Sequence, residues 1–182
     1  MSTVKITDRV DLATLAAVYR RVHAGDLHLT DHSDPSPEDR LRWTAEAPGF
    51  QAAVGYANGE VVGAVVGCPL PPETLWWRDL GDADPALVKE WRGRTFALCE
   101  AFLLPGARRS DLGVRMIVEL LAARTEERTT MAVADTNTRV WHALESRHFE
   151  HVGDVVPFPG WRPHRMLVRS LPLRHDRAER AS

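Results

Sequence analysis

The sequence predicts an α/β fold in which a mixed central β-sheet is flanked by helices on both faces. Apolar runs typical of strands alternate with segments of helical periodicity along most of the chain. Asn58-Gly59 joins two such runs as a tight hairpin, which makes those two strands antiparallel. A helical segment follows the strand that ends near Leu104, and such a crossover makes the strands on either side of it parallel. A sheet with both kinds of pairing is mixed, and it has two faces for helices to cover.

The elements are predicted in the order β-α-α-β-β-β-α-β-α-β-β. Asp8 is expected to cap the first helix, which runs to about His23 with Asp11 in its first turn. Ser36 is expected to cap the second helix, with Pro37 in its first turn. The predicted strands cover residues 4–6, 50–57, 60–68, 95–104, 129–135, 149–158 and 165–171. The other predicted helices cover 37–47, a short stretch around 85–91, a segment from about 111, and 138–147.

Composition and charge exclude several classes of protein. The chain has 182 residues, 44% of them apolar, and a formal net charge of −2, which disfavours a general nucleic-acid binder because such proteins need a broad basic surface. No apolar run approaches the length of a membrane span, and the N-terminus lacks a signal-peptide core. Cys68 and Cys99 lie in strand-like runs and are expected to be free thiols in the cytoplasm. Residues 1–172 are predicted to form one domain, and 173–182 a disordered tail.

A basic turn between a predicted strand and a predicted helix is a candidate anion site. The first backbone N–H groups of a helix have no partner within the helix, and the helix dipole is positive at that end. Arg108, Arg109 and Arg115 add positive charge, and Gly113 permits a close approach of ligand and backbone. The alternative is an ordinary helix start in which Asp111 caps the helix and the arginines are solvated.

Two segments resemble signatures of the GCN5-related N-acetyltransferase (GNAT) family. Ala101-Phe102-Leu103-Leu104-Pro105 followed by Arg108 to Gly113 is similar to L-Y-V-x-P and R-x-x-G-x-G, with Asp111 in place of the first glycine. Asn137 and Phe149 match the ends of N-x-x-A-x-x-x-Y-x-x-x-G-F. Within that second signature the alanine, tyrosine and glycine are replaced by Val140, Leu144 and His148. Together with the order of elements, the resemblance covers residues 4–170.

The resemblance implies that acetyl-CoA is the cosubstrate and assigns residues to it. Backbone groups of Phe102 and Leu103 would pair with pantetheine, and Asn137 would face the pantetheine arm. Backbone N–H groups over 109–114 would hold the pyrophosphate. Asp111 would either repel the pyrophosphate or point away and cap the helix. The implied donor-binding residues are Phe102, Leu103, Arg108, Arg109, Ser110, Asp111, Leu112, Gly113, Val114 and Asn137.

Glu100 is the candidate general base, because attack on a thioester requires an amine that has lost its proton. It lies in an otherwise apolar strand, where burial should raise the pKa of a carboxyl group, and the family often has an acidic residue there. The alternatives are a glutamate paired with an arginine or one at a sheet edge. In the family a tyrosine often serves as the general acid, and Leu144 occupies that position here. His142, His148 or water would therefore have to protonate the thiolate.

The loop between the first two predicted helices faces the acceptor in this family. It contains Asp26, Asp31 and Asp34, which would favour a cationic acceptor unless the loop is simply solvated. The histidines at 23, 28 and 32 match no strong ligand spacing, so no metal is predicted.

Tryptophans mark a second region that could contribute to the acceptor site. Trp76, Trp77 and Trp91 could line a pocket, cover a partner surface, or hold an irregular loop against the core. Trp161 lies where the family often contacts the acceptor or a second subunit.

These features predict an acetyl-CoA-dependent N-acetyltransferase. It would act on a primary amine of a small molecule or peptide by direct attack in a ternary complex, without nucleic acid or membrane partners, and a homodimer is one candidate assembly. Two alternatives stay open: a non-catalytic acyl-CoA-binding module with the same fold, and an interaction domain that does not bind CoA.

Overall fold

A mixed seven-stranded sheet forms the centre of the protein in the computed structural model, which describes residues 1–173. The strands are β1 (Ser2–Thr7), β2 (Gln51–Ala57), β3 (Glu60–Pro69), β4 (Thr95–Leu103), β5 (Arg128–Ala134), β6 (Glu150–Val155) and β7 (His164–Ser170). The helices are α1 (Leu12–Val22), α2 (Thr30–Ser33), α3 (Pro37–Glu46), α4 (Pro85–Val88), α5 (Leu112–Ala122) and α6 (Thr138–Glu145). None of the helices in this part of the chain is both long and apolar enough to cross a membrane.

The predicted fold class is confirmed. The strand order is β1-β2-β3-β4-β5-β7-β6, and β4 and β5 are parallel whereas the other neighbouring pairs are antiparallel. The predicted disordered tail lies outside the described residues except for Leu173, which packs against the core.

Helices cover both faces of the sheet, as the sequence predicts. On one face, α5 and α6 bury Leu112, Met116, Leu120 and Leu144 against the strands. On the other face, α1 and α3 enclose a second cluster around β2, β3 and the end of β4. The irregular segment 70–94 covers the remaining part of that second face beside β6 and β7.

Local capping differs from the prediction at α1. Asp11, rather than Asp8, caps this helix, because its Oδ1 accepts hydrogen bonds from the N–H groups of Ala13 and Thr14 at 3.1 and 3.3 Å. The single-turn helix α2 was not predicted, and α4 ends at Val88 instead of near 91.

The tryptophan-rich segment is held to the sheet by a buried polar cluster. Glu90 Oε1 accepts hydrogen bonds from Trp77 Nε1 (3.0 Å), Thr95 Oγ1 (2.7 Å) and Arg128 Nη2 (2.6 Å). Trp77 is buried, whereas Trp91 is exposed and donates to Glu127. Of the three possibilities left open for these tryptophans, anchoring the segment therefore applies to Trp77.

A β-bulge in β4 determines where the sheet opens. Val66 lies opposite Glu100 and Gly67 lies opposite Leu98, so Cys99 is one extra residue on β4. The parallel ladder between β4 and β5 ends at Leu98 and Met131. Beyond that point β4 pairs only with β3 and β5 only with β7, so the two strands separate.

We predict that Gly67→Ala destabilises the protein by about 1–3 kcal/mol, because the sheet approaches this residue too closely for a side chain. A Cβ atom there would lie 2.2 Å from the carbonyl oxygen of Ala97 and 2.7 Å from Cε1 of Phe96. Urea unfolding measures the change. Gly106→Ala is the control, since its Cβ would meet no atom within 4 Å, and its free energy of unfolding should change by less than about 0.5 kcal/mol. Equal stability of the two variants would contradict the proposed packing at the bulge.

Candidate functional site

The gap between β4 and β5 opens into a cavity of about 500 Å³. Residues 99–103 of β4 and 131–134 of β5 line its two sides. Residues of α5 and α6 line one end, and residues of α1, α2 and the loop before β7 line the other. The cavity thus passes through the opened sheet and connects the two faces.

The edge of β4 that faces the gap has unpaired backbone groups. Leu104 N–H donates to Val62 C=O at 2.8 Å, and the register places Phe102 opposite Ala64. Because the direction of backbone groups alternates along an antiparallel strand, Phe102 bonds to β3, whereas Ala101 and Leu103 direct their N–H and C=O groups into the gap. The Leu103 carbonyl accepts a hydrogen bond from Arg108 Nε at 3.0 Å.

The turn after β4 presents the N-terminus of α5 to one end of the cavity. A short 3₁₀ helix over Pro105–Ala107 reverses the chain, and α5 begins at Leu112. The Leu112 N–H is satisfied by Ser110 Oγ at 3.3 Å. The N–H groups of Gly113 and Val114 lie in the first turn of α5, where backbone N–H groups have no acceptor within the helix. Both residues line the cavity.

Asp111 neither caps α5 through its side chain nor lines the cavity. It occupies the N-cap position, but its carboxylate makes no capping hydrogen bond, because the chain is already helical there, with φ −76° and ψ 0°. Its carbonyl oxygen accepts the N–H of Arg115 at 2.9 Å. The carboxylate is exposed to solvent, outside the residues that surround the cavity.

Arginines from two elements surround this end of the cavity. Arg108 and Arg139 line it, and Arg139 Nη2 donates to the Arg108 carbonyl at 3.1 Å. Arg147, just after the end of α6, also lines the cavity. Arg115 turns away and pairs with Glu119 at 3.3 Å, and Arg109 is exposed outside the lining. Arg139 and Arg147 were not predicted from the sequence; their spacing of eight residues on one face of a predicted helix was the available signal.

The start of α6 lies beside the gap between β4 and β5. Asn137 lines the cavity and does not use its side chain to cap α6. Leu144, at the family's tyrosine position, is buried in the core. His148 adopts φ 58°, the left-handed conformation that explains a glycine at this position in the family signature.

Neither His142 nor His148, the two histidines considered as general acids, lines the cavity. The side chain of His142 is 65% exposed and lies 3.5 Å from Glu145, outside the residues that line the cavity. His148 lies in the turn after α6 and is also outside that lining.

Glu100 forms a half-buried ion pair at the centre of the cavity. Arg40 Nε donates to Glu100 Oε1 at 2.6 Å, and the side chains are 5% and 15% exposed. Arg40 is itself held by the Pro35 carbonyl and lies over the rings of Tyr19 and Trp161 at 5.1 Å each. The arginine-paired alternative for Glu100 is therefore observed.

The acceptor end of the cavity is less acidic than its sequence suggests. Asp31 is buried and paired with Arg162 at 2.5 Å, whereas Asp26 and Asp34 are exposed. Tyr19 Oη lies 2.8 Å from His32 Nδ1, and burial raises the pKa of Tyr19. Because the buried carboxylates are already paired, local negative charge is a weaker basis for acceptor selection than expected.

Aromatic side chains from both predicted regions reach the cavity. Trp161 lines it and donates its indole N–H to the Asp34 carbonyl at 2.7 Å. Trp76 lines it from segment 70–94 and donates to Thr130 at 3.3 Å. Cys99, at the bulge, also lines it, and its Sγ lies 4.0 Å from that of Cys68; both are free thiols.

We predict that Arg40→Met destabilises the protein by about 3–5 kcal/mol, because it leaves Glu100 as a half-buried carboxylate without a cation. The double variant Arg40→Met, Glu100→Gln should regain part of that loss, since it also removes the charge. The matched control is Arg20→Met, because the Arg20–Glu38 pair is about half exposed and should contribute less than about 1 kcal/mol. Urea unfolding measures all three, and equal losses for the Arg40 and Arg20 variants would contradict a structural role for the buried pair.

Comparison with known proteins supports the fold. No protein-family model matches the chain, and no curated protein is significantly similar to it. Solved structures of acetyltransferases match nearly the whole chain at low identity. A ribosomal-protein alanine N-acetyltransferase from Escherichia coli matches with a TM-score of 0.66 and 13% identity, over 97% of this chain and 98% of that one.

Two further structures bear on the cavity. An aminoglycoside 6′-N-acetyltransferase complexed with coenzyme A matches with a TM-score of 0.64 and 14% identity, over 96% and 99% of the two chains. An acetyltransferase of the GNAT family from Staphylococcus aureus Mu50 matches with a TM-score of 0.62 and 12% identity, over 93% and 100%. With its seven-stranded sheet opened between β4 and β5, the chain has the fold of the GNAT acetyltransferases.

Proposed function

We propose that this chain is an acetyl-CoA-dependent N-acetyltransferase whose acceptor is a primary amine of a small molecule or peptide. Residues 1–172 would form the single catalytic domain, and the amine would attack the acetyl group directly in a ternary complex. The observation that carries the proposal is the cavity between β4 and β5, which joins the N-terminus of α5 to a half-buried carboxylate. A matching structure contains coenzyme A, and others are named N-acetyltransferases.

The residues around the gap fit an acyl-CoA. The backbone groups of Ala101 and Leu103 can pair with an extended chain of amides as a further strand would. The register therefore favours Ala101, rather than Phe102, as the partner of Leu103 in this role. To offer its carbonyl, Leu103 would have to release or share the hydrogen bond from Arg108.

The start of α5 and the neighbouring arginines fit a pyrophosphate. The first-turn N–H groups of Gly113 and Val114 and the positive end of the helix dipole favour an anion there. Arg108 and Arg139 add charge from two sides. Since Asp111 is exposed outside the cavity lining, its carboxylate does not need to contact the phosphates.

Glu100 is proposed to accept the proton of the amine, directly or through water. Arg40 donates to Oε1, and within residues 1–173 no hydrogen bond engages Oε2, which leaves this oxygen to accept a proton. A base must start the reaction without its proton, so the ion pair is compatible with this role. Acetyl-CoA would supply the activated acetyl group. Because Leu144 is buried and apolar, we propose that water protonates the departing thiolate.

A non-catalytic acyl-CoA-binding module is the second candidate. The observation in its favour is the combination of Leu144 in the acid position with a base candidate that already has an ionic partner. Binding of acetyl-CoA is common to both candidates, whereas release of the CoA thiol in the presence of an amine belongs to the enzyme alone.

We predict that wild-type protein binds acetyl-CoA in calorimetry and that Arg139→Ala weakens binding about tenfold, because one charge-assisted contact to the phosphates is lost. Asp111→Gly should change the affinity by less than about threefold, because the carboxylate lies outside the cavity. The matched control is Arg115→Ala, which removes the same charge near the start of α5 from a side chain that faces Glu119. No binding by wild type together with binding by Asp111→Gly would show a blocked site and contradict the enzyme proposal.

We predict that Glu100→Gln lowers kcat/KM for the best amine by about 10²- to 10⁴-fold, the usual contribution of a positioned general base. Its affinity for acetyl-CoA should stay within about twofold, since the carboxylate is away from the phosphate end. Release of the CoA thiol with a panel of amines measures kcat/KM. Calorimetry on the same preparations measures the affinity for acetyl-CoA. If Glu100→Gln turned over at the wild-type rate, Glu100 would not be the general base. Binding without thiol release for any amine would favour the non-catalytic module.

A further inference from the structure

Two histidines and an aspartate converge at the turn after α1. The candidate ligand atoms of His23, Asp26 and His32 all lie within 4.8 Å of one another. The two imidazole rings are nearly parallel, at 24°, with their centroids 4.0 Å apart. Among residues 1–173 this is the one cluster of three histidine, cysteine or acidic side chains close enough to share a metal ion.

The backbone holds these three residues in place. His23 ends α1 and donates its N–H to the Tyr19 carbonyl at 3.0 Å. The Asp26 N–H donates to the His23 carbonyl at 2.8 Å, and the Leu29 N–H donates to the Asp26 carbonyl at 2.9 Å. These consecutive turns lead into α2, which carries His32. The cluster is therefore built on hydrogen-bonded turns between two helices.

The Tyr19 hydroxyl orients one of the two imidazoles. His32 Nδ1 lies 2.8 Å from Tyr19 Oη, and such a hydrogen bond fixes the ring of a metal-bound histidine. His23 and His32 are both half-buried and line the cavity, so the rings are restrained but can be reached from it.

We propose that His23, Asp26 and His32 bind a divalent transition-metal ion, Zn²⁺ by ligand type, at the acceptor end of the cavity. Two imidazoles and one carboxylate suit Zn²⁺, whereas Mg²⁺ and Ca²⁺ prefer oxygen ligands throughout. Three protein ligands leave a coordination position for water or another ligand. Because His23 and His32 line the cavity, a bound ion would lie beside the space proposed for the acceptor.

The site does not follow from the spacing of the histidines. His28, which lies between the other two in the sequence, is exposed and is not part of the cluster. Asp26 takes its place because the turn after α1 brings this residue back towards His23. The proposed site therefore departs from the expectation of no metal, which was drawn from the spacing alone.

Calorimetry with ZnCl₂ tests the proposal on chelator-treated full-length protein without acetyl-CoA. Wild type should bind one Zn²⁺ per chain. His23→Ala and His32→Ala should each weaken binding by at least about 100-fold, and Asp26→Asn by about tenfold. His28→Ala is the matched control, because it removes a histidine of the same loop from outside the cluster, and it should bind as wild type does. Circular dichroism checks that each variant is folded.

Bound Co²⁺ gives a second measurement that does not depend on the variants of the half-buried residues His23 and His32. Wild type should acquire visible d–d absorption on addition of Co²⁺, and the exposed substitution Asp26→Asn should reduce it. No heat with Zn²⁺, no Co²⁺ spectrum, or equal binding by His28→Ala and His32→Ala would overturn the proposal. Since acetyl-CoA is absent throughout, these outcomes are separate from success or failure of the proposed acetyl transfer.

Discussion

The separation of β4 from β5 after Leu98 and Met131 is the constraint on which the rest of this structure depends. The extra residue at Cys99 shifts the second half of β4 relative to the first, and β5 continues with β7 as its only partner. Backbone groups inside a sheet normally satisfy one another. Here Ala101 and Leu103 direct backbone groups into the cavity instead, and the proposed acyl-CoA has an extended amide chain that would pair with this edge.

The opening of the sheet also explains the position of the other functional groups. The chain leaves the open end of β4 and turns directly into α5, so the unpaired N–H groups of that helix meet the same cavity. Glu100 follows the bulge and therefore faces α1 and α3, where Arg40 can reach it. The end of the cavity proposed for the phosphates and the end that holds Glu100 are thus both positioned by β4.

Several charged residues around the cavity are held in ion pairs and so have a structural role. Arg40 fixes Glu100, and Arg162 fixes Asp31, so neither buried carboxylate is free to attract a cation by itself. Arg108 and Arg139, at the end proposed for the phosphates, are less restrained, since they bond to backbone carbonyls and not to carboxylates. The electrostatic field of the cavity is consequently more positive than the acidic loop suggests.

The sequence by itself determined the order of elements and hence the fold class. Periodicity and turn residues are local signals, so strands, helices and the Asn58-Gly59 hairpin could be predicted within a few residues. Competing local hydrogen bonds were harder to rank, which is why Asp8 was chosen over Asp11 at α1. The first degenerate signature directed attention to the turn after β4, and the apolar strand before it made Glu100 conspicuous, because both signals lie along one segment.

Only the tertiary structure decided which distant residues share the cavity. Arg40 lies sixty positions before its partner Glu100. Arg139, on α6, contacts Arg108 in the turn after β4. The cluster of His23, Asp26 and His32 excludes the intervening His28. Sequence spacing does not encode such proximities, because they arise from the packing of helices against a sheet whose opening depends on a single bulge.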